Sequence, residues 1–390
     1  MRQASLAAQQ PEQTKVPGAG VWGLSGLGEI RLKQAARPLT DAWQHVPIEP
    51  RHSTLLGVSF RPPQAAALAL DARSTLQTLL SYPLQLIRLG AYWNRMEPEP
   101  GAFYPDELDW QIDAAERAGV PIIVCVGPLK TFSYPEFFVP EHHLKQPFPE
   151  RTRIKPSAYP ALLRAAREFI ARLVERYKHR QGIVAWQLEH EAVDPLGIEH
   201  SWRLDATFVA EELAALKDAD PTRPIMMNGY LPTSLPVLLS QWWRTRDQGD
   251  SLAVARRIAD IIGIDYYPRQ ALVRVGGRTL YLDGSASRWQ VARRERLWAW
   301  ACAHGQKIMV AEGQAEPWET VTNPPDPDGR HMYSCLPEHV IANYNTCMCW
   351  SQQGCPLYAY LFWGVEYWVL RKQRADSSYL RAFARILEGS

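Results

Sequence analysis

The sequence predicts a single (β/α)8 barrel over residues 51–390, preceded by an N-terminal tail or extension over residues 1–50. Three observations predict it. From Leu55 onward, short apolar runs alternate with longer amphipathic runs, the pattern of repeated βα units on a parallel sheet. The apolar runs number eight, as a closed barrel of this type requires. No glycine-rich turn follows the first run, where Phe60 leads into Arg61-Pro62-Pro63-Gln64, so a dinucleotide-binding fold is not supported.

The eight strand candidates are Leu55–Phe60, Leu86–Trp93, Pro121–Gly127, Ile183–Glu191, Pro224–Tyr230, Ile261–Pro268, Lys307–Gly313 and Pro356–Gly364. Most are rich in Val, Ile, Leu or aromatic residues along their length, as expected of strands covered on both faces. Helical patterns lie between them. Asp106–Gly119 ends in glycine, and Tyr159–Arg180 carries Leu162, Phe169, Leu173 and Tyr177 at helical spacing. Ser287–His304 and Glu338–Gln353 behave likewise, and Asp376–Leu387 closes the chain. The first fifty residues, rich in Gln, Pro, Ala and Gly, read as a flexible tail followed by a segment packed on the outside of the barrel. No linker divides the rest.

Composition narrows the function. The 390 residues carry 43 basic and 41 acidic side chains without a long basic run, so nucleic-acid and anionic-membrane partners lack electrostatic support. No apolar stretch reaches the 18 or more residues of a membrane span. The N-terminus has no apolar core of a signal peptide, and the six cysteines match no paired C-x2-C framework. Free or buried thiols in a cytoplasmic setting are the expectation. Fifteen Trp and sixteen Tyr exceed ordinary core needs. A large aromatic core explains them simply; sugar rings stacking on exposed indoles is the functional alternative.

In a barrel the reactive groups gather at the C-terminal ends of the strands. The second strand carries Arg88 and runs on to Trp93. The fourth ends in Trp186-Gln187-Leu188-Glu189-His190-Glu191, the sixth in Asp265-Tyr266-Tyr267 and the seventh in Ala311-Glu312-Gly313-Gln314, with Trp318 beyond it. The eighth ends in Phe362-Trp363. Strands four and seven face each other across the mouth, so Glu191 and Glu312 are placed to flank one bond. Cleavage of a glycosidic bond needs such a pair, ~5–5.5 Å apart for retention and ~6.5–9.5 Å for inversion.

At these residues the chain, from about Leu55 to its end, resembles the clan of retaining glycoside hydrolases that includes cellulase-like, mannanase-like and β-galactosidase-like barrels. The resemblance implies Glu191 as acid/base and Glu312 as nucleophile. It implies a tyrosine, Tyr266 or Tyr267, donating to the nucleophile, Arg88 supporting it, and Trp363 flooring the sugar subsite. His190 stands where the clan usually has an asparagine that contacts the sugar 2-hydroxyl. The implied function is hydrolysis of a β-glycosidic bond by double displacement, with a carbohydrate substrate and no metal or organic cofactor. A transglycosylase would share these residues, and a non-catalytic carbohydrate-binding barrel would keep the aromatics without needing the glutamates. A lyase or aldolase would want a Schiff-base lysine at a strand end, whereas Lys307 begins its strand.

Other polar residues have plainer readings. Glu189 is expected to be the buried partner of Arg88 or another base, and Glu316 and Glu366 to be structural or to support the site. His142 and His143 are adjacent and lack an HExxH pattern or an evident third ligand, so they read as exposed loop residues. His200, Ser201 and Trp202 read equally as cleft lining or loop. Trp93 and Trp318 are subsite candidates, while Trp298 and Trp300 fall at helical core positions.

Overall fold

The computed structural model describes residues 30–32, 41–133, 136–194, 201–232, 235–275, 278–283, 288–317, 334–350 and 355–389. Eight parallel strands close a barrel: β1 Leu55–Ser59, β2 Leu86–Gly90, β3 Ile122–Cys125, β4 Ile183–Gln187, β5 Ile225–Tyr230, β6 Ile261–Tyr266, β7 Lys307–Gln314 and β8 Leu357–Trp363. Each pairs with its sequence neighbours, and β7 and β8 complete the ring through β6 and β1. The chain is therefore a (β/α)8 barrel. All eight expected strands form, within a few residues of the expected bounds.

The helices form for local reasons as well as tertiary ones. Helix Asp106–Arg117 has three acidic residues in its first turn and Arg117 in its last, matching the helix dipole. Pro160–Tyr177 opens with proline at its first turn, where no hydrogen bond is lost. It buries Leu162, Ala166, Phe169, Ile170, Leu173, Val174 and Tyr177 along one face. Each large side chain buried so contributes about 1.5–3 kcal/mol of apolar transfer. Asp71, Asp205 and Asp250 cap three further helices by accepting backbone N–H bonds.

Two apolar layers result. Residues of alternate parity point outward into one large cluster between barrel and helices: Ile87 and Leu89 on β2, Ile262 and Ile264 on β6, Tyr360 and Phe362 on β8. The inward set at the lower end of the barrel is a second cluster: Leu86, Ile123, Ala185, Met226, Ile261, Met309, Ala311, Ala359 and Leu361. That lower layer fills the barrel, so the only inward positions left for chemistry lie above it, at the strand C-termini.

The end of the extension packs on the outside of the barrel. In the 3-10 turn Asp41–His45, Trp43 is buried and its carbonyl accepts from Arg385 at 2.6 Å. The Glu49 amide donates to Asn345 Oδ1 at 2.9 Å. Strand Ile30–Leu32 pairs antiparallel with Arg278–Asp283, which in turn pairs with Arg269–Val275. All six cysteines are free thiols. Among the described residues no helix is long and apolar enough to cross a membrane.

Candidate active site

Above the apolar layer, the next inward residues are polar: Ser59, Arg88, Gln187, Asn228, Asp265 and Glu312, all buried. Glu312 reaches this ring because β7 is not regular. Strict alternation with Met309 and Ala311 would turn Glu312 outward into the helix layer. Pairing with β6 shifts register between Val310 and Glu312, and pairing with β8 shifts between Val310 and Gly313. This bulge re-aims Glu312 into the mouth.

There Glu312 is gripped from two sides. Arg88 Nη1 donates to its Oε1 at 2.8 Å, and the Tyr267 hydroxyl donates to its Oε2 at 2.5 Å. Arg88 is itself aligned: its Nε donates to Gln187 Oε1 at 2.6 Å and its guanidinium lies 3.8 Å over the Phe132 ring. Burial pushes the Glu312 carboxyl above its usual range, and Arg88 and Tyr267 pull it back.

The fourth strand behaves differently beyond Gln187. Glu189 and Glu191 both take positive φ, 55° and 43°, so strand geometry ends and parity no longer holds. Glu189 turns away from the mouth to accept the backbone amides of Leu129 at 3.0 Å and Lys130 at 2.6 Å. Burial raises its carboxyl to about 7, and it faces Glu212, a wholly buried carboxyl pushed well above its usual range by burial and by Glu189. The partners of Arg88 are thus Gln187 and Glu312, and not Glu189. The close approach of the β3 loop is possible because residue 127 is glycine; a Cβ there would lie 2.1 Å from the Glu189 nitrogen.

Glu191 stays at the rim, 8% exposed. Burial first, then the charges of Glu136 and Asp194, push its carboxyl well above the usual range, while Lys130 pulls it down. Lys130, also buried, donates from Nζ to the Glu191 carbonyl at 2.9 Å and pairs with Glu136 at 3.3 Å. A ring nitrogen of His190 lies within 4.8 Å of a carboxylate oxygen of Glu191, and one lies equally close to Glu312. His190 Nδ1 faces Asn228 Nδ2 at 2.9 Å, and Asn228 Nδ2 also donates to Asp265 Oδ2 at 2.6 Å. That amide fixes the tautomer with Nδ1 as acceptor and Nε2 as the N–H. Burial and the neighbouring Arg88 and Lys130 keep the ring neutral, well below the usual imidazole range.

Trp363, at the end of β8, lies in the mouth with Cys125, Phe132, Tyr230 and Tyr267. Arg61 stacks 4.0 Å over its indole and is held there by Glu366 at 2.7 Å and Glu316 at 2.9 Å. Gly364 takes φ +97°, and a Cβ there would meet the Glu316 side chain at 2.2 Å. Glu316 and Glu366 therefore serve Arg61, a residue the sequence reading passed over. Asn228, Asp265, Glu136 and Lys130 were also missed. Parity signalled Asn228 and Asp265, since they share faces with Met226 and Tyr267; nothing local marks Glu136 or Lys130, which the β3 loop delivers.

Two expected subsite residues are corrected. Trp93 is fully buried in the outer layer between His143, at 4.7 Å, and Phe169, at 5.5 Å, because its parity on the chain leaving β2 is that of Leu89 and Ala91. Tyr266 likewise points outward, edge-on to Trp350 at 4.8 Å, leaving Tyr267 to meet Glu312. Trp318 and His200 lie outside the described residues. Ser201 bonds Glu150, and Trp202 packs edge-on against Phe137 and Phe148. Trp298 is core as expected, but Trp300 is 38% exposed and stacks on His304.

The mouth of this (β/α)8 barrel thus brings together Glu312, Tyr267, His190, Glu191 and Trp363. Comparison adds the particulars. Residues 71–208, about a third of the chain, match the family model Glyco_hydro_42, described as beta-galactosidase. The segment spans β2 to β4 and includes Glu191. No curated protein matches the sequence. Among solved structures, GH5_18 from Streptomyces cattleya in complex with GlcNAc is similar at 16% identity and TM-score 0.55, over 87% of this chain and 81% of that one. A beta-galactosidase from Bacillus circulans sp. alkalophilus is similar at 10% identity and TM-score 0.53, over 87% and 56%. Xylanase 10B from Thermotoga maritima follows at 14% and 0.50, over 87% and 96%. At such identities the likeness speaks for the fold.

Proposed function

We propose that the protein hydrolyses a β-glycosidic bond with retention, Glu312 acting as nucleophile and Glu191 as acid/base. The observation that carries this reading is the unequal treatment of the two carboxyls. Glu312 receives a guanidinium and a phenol hydroxyl, both of which favour its ionised form. Glu191 is buried among other carboxylates, which favour its protonated form.

Glu312 attacks the anomeric carbon while Glu191 gives its proton to the leaving oxygen. Once Glu312 is esterified its charge is gone, so one of the groups raising Glu191 disappears. Glu191 then stays ionised after giving up its proton, and as a carboxylate it can act as general base on the water that hydrolyses the glycosyl-enzyme. His190, neutral with its Nε2–H free of Asn228, supplies the donor that the clan's asparagine gives to the sugar 2-hydroxyl. Trp363, clamped by Arg61, offers a flat apolar face to the sugar ring.

The family-model match makes an aryl β-galactoside the first substrate to try, beside aryl β-glucosides, mannosides and xylosides. Glu312→Gln and Glu191→Gln are each expected to lower kcat on the cleaved substrate by at least about 10³-fold. Undiminished turnover in either variant overturns the assignment, and product anomers read by NMR distinguish retention from inversion. Release of free sugar rather than transfer to an added alcohol separates hydrolysis from transglycosylation.

A further inference from the structure

Away from the catalytic carboxylates, the loops after β2 and β3 converge on three side chains that the reaction does not use. The short helix Trp93–Met96 leads into Glu97, and the 3-10 turn Glu141–His143 belongs to the β3 loop. Glu97 Oε1 lies 3.2 Å from His142 Nε2 and 3.1 Å from His143 Nε2. One donor atom from each of the three lies within 4.8 Å of the other two.

We propose that Glu97, His142 and His143 form a binding site for a divalent transition-metal ion, with Zn2+ the best fit, which staples the β2 loop to the β3 loop. The sequence showed two adjacent histidines without a third ligand; the fold brings Glu97 to them from 45 residues earlier.

The chemistry of the donors selects the ion. Two imidazoles and one carboxylate suit zinc and its neighbours, whereas magnesium and calcium want oxygen alone. Zn–N and Zn–O bonds of ~2.0–2.2 Å at tetrahedral angles put donor atoms about 3.3 Å apart. The observed 3.1 and 3.2 Å separations are close to that edge. Three protein donors leave one position for water.

The surroundings are those of a prepared ligand set. Trp93 Nε1 donates to Glu97 Oε2 at 2.7 Å, so the carboxylate is oriented and its other oxygen is the one presented to the histidines. The Trp93 ring packs on His143 with centroids 4.7 Å apart. The three side chains keep about a fifth of their surface exposed, which admits an ion from solvent. The rival cluster of His190, Asp265 and Glu312 has the Arg88 guanidinium 2.8 Å from Glu312, and that fixed positive charge opposes a cation.

The consequence is structural. The β3 loop begins with the Leu129 and Lys130 amides that hold Glu189, and its far side is pinned to the β2 loop by the Asn94 amide on the Phe138 carbonyl at 2.8 Å. An ion at Glu97 adds a second pin to that side.

The test uses the full chain, stripped with a chelator and titrated with Zn2+ alone. Calorimetry is expected to show one ion per chain with Kd below about 10 µM. The melting temperature is expected to rise at saturating zinc, as for any ligand of the native state. His143→Ala and Glu97→Gln are each expected to weaken binding at least about tenfold. Should either fold poorly, His142→Ala, at the exposed end of the turn, carries the same test. Cobalt loading is expected to give visible ligand-field bands without a thiolate charge-transfer band. Absence of zinc binding by the native chain, binding unchanged in the variants, or a thiolate band from the free cysteines would each overturn the proposal.

Discussion

Lys130 is the residue on which the rim of the site turns. Fully buried, its ammonium reaches the carbonyl of Glu191 and the carboxylate of Glu136, so one cation holds the Glu191 backbone and its neighbouring charge together. Glu136 disfavours ionisation of Glu191, and removing that charge lowers the Glu191 pKa. Other groups facing Glu191 are Asp194, Glu312, Asp265, Tyr267 and His190, so the effect is partial. Because the proposed mechanism starts with Glu191 protonated, Glu136→Gln is expected to move the alkaline limb of kcat/KM down by about one pH unit. If Glu136 only anchors the loop, the pH–rate profile falls uniformly and the limb stays in place. Tyr267→Phe works on the other carboxyl. Loss of its hydroxyl raises the Glu312 pKa, so the acid limb is expected to move up while kcat/KM drops about 10- to 100-fold.

Among the elements, β7 and the β3 loop decide whether the carboxyls meet. The bulge at the end of β7 turns Glu312 inward, and the left-handed residues after β4 turn Glu189 aside so that Glu191 takes the rim. Both depend on close backbone contact, most sharply at Gly127, where a Cβ would fall 2.3 Å from Glu189 Cα. Gly127→Ala is expected to destabilise the fold by about 1–3 kcal/mol in denaturant titration. It should also lower kcat of the remaining folded enzyme, since the segment from Glu189 to Glu191 must shift. A variant that loses stability but keeps full kcat would show that the contact serves packing alone.

For the whole molecule, the barrel stacks a polar ring on an apolar plug, and this sets its response to pH. Glu189, with its carboxyl raised to about 7, is easier to bury protonated than ionised. A raised folded pKa contributes stability below the unfolded value of ~4.3 that is lost as pH rises through 7. Glu191, Glu212 and Asp265 act in the same direction. Asp220, held far below its usual range by Thr222, Trp186 and Arg223 against the cost of burial, has the opposite sign and loses stability as pH falls. The melting temperature is expected to peak at about pH 4–5, between the unfolded pKa values of these carboxyls and the start of their decline, and Glu212→Gln to flatten the decline above it. A melting temperature that climbs steadily to pH 8 would contradict this balance of buried carboxyls.

The sequence by itself determined the eight strands, their closure into a barrel and the strand ends that carry Arg88, Glu191 and Glu312. These follow from apolar periodicity and from the rule that a filled barrel leaves chemistry to one rim, both of which are local patterns. Parity along β6 is the local signal that separates Tyr267 from Tyr266, and parity along the chain leaving β2 sets Trp93 with Leu89 and Ala91 in the outer layer. What only the tertiary structure decided lies where parity breaks or loops meet. The β7 bulge, the turn of Glu189 onto the Leu129 and Lys130 amides, the arrival of Glu136 beside Glu191 and the meeting of Glu97 with His142 and His143 have no local signature. Each joins residues from different βα units, and their contact is set by how the helices seat on the barrel and how closely two loops can approach.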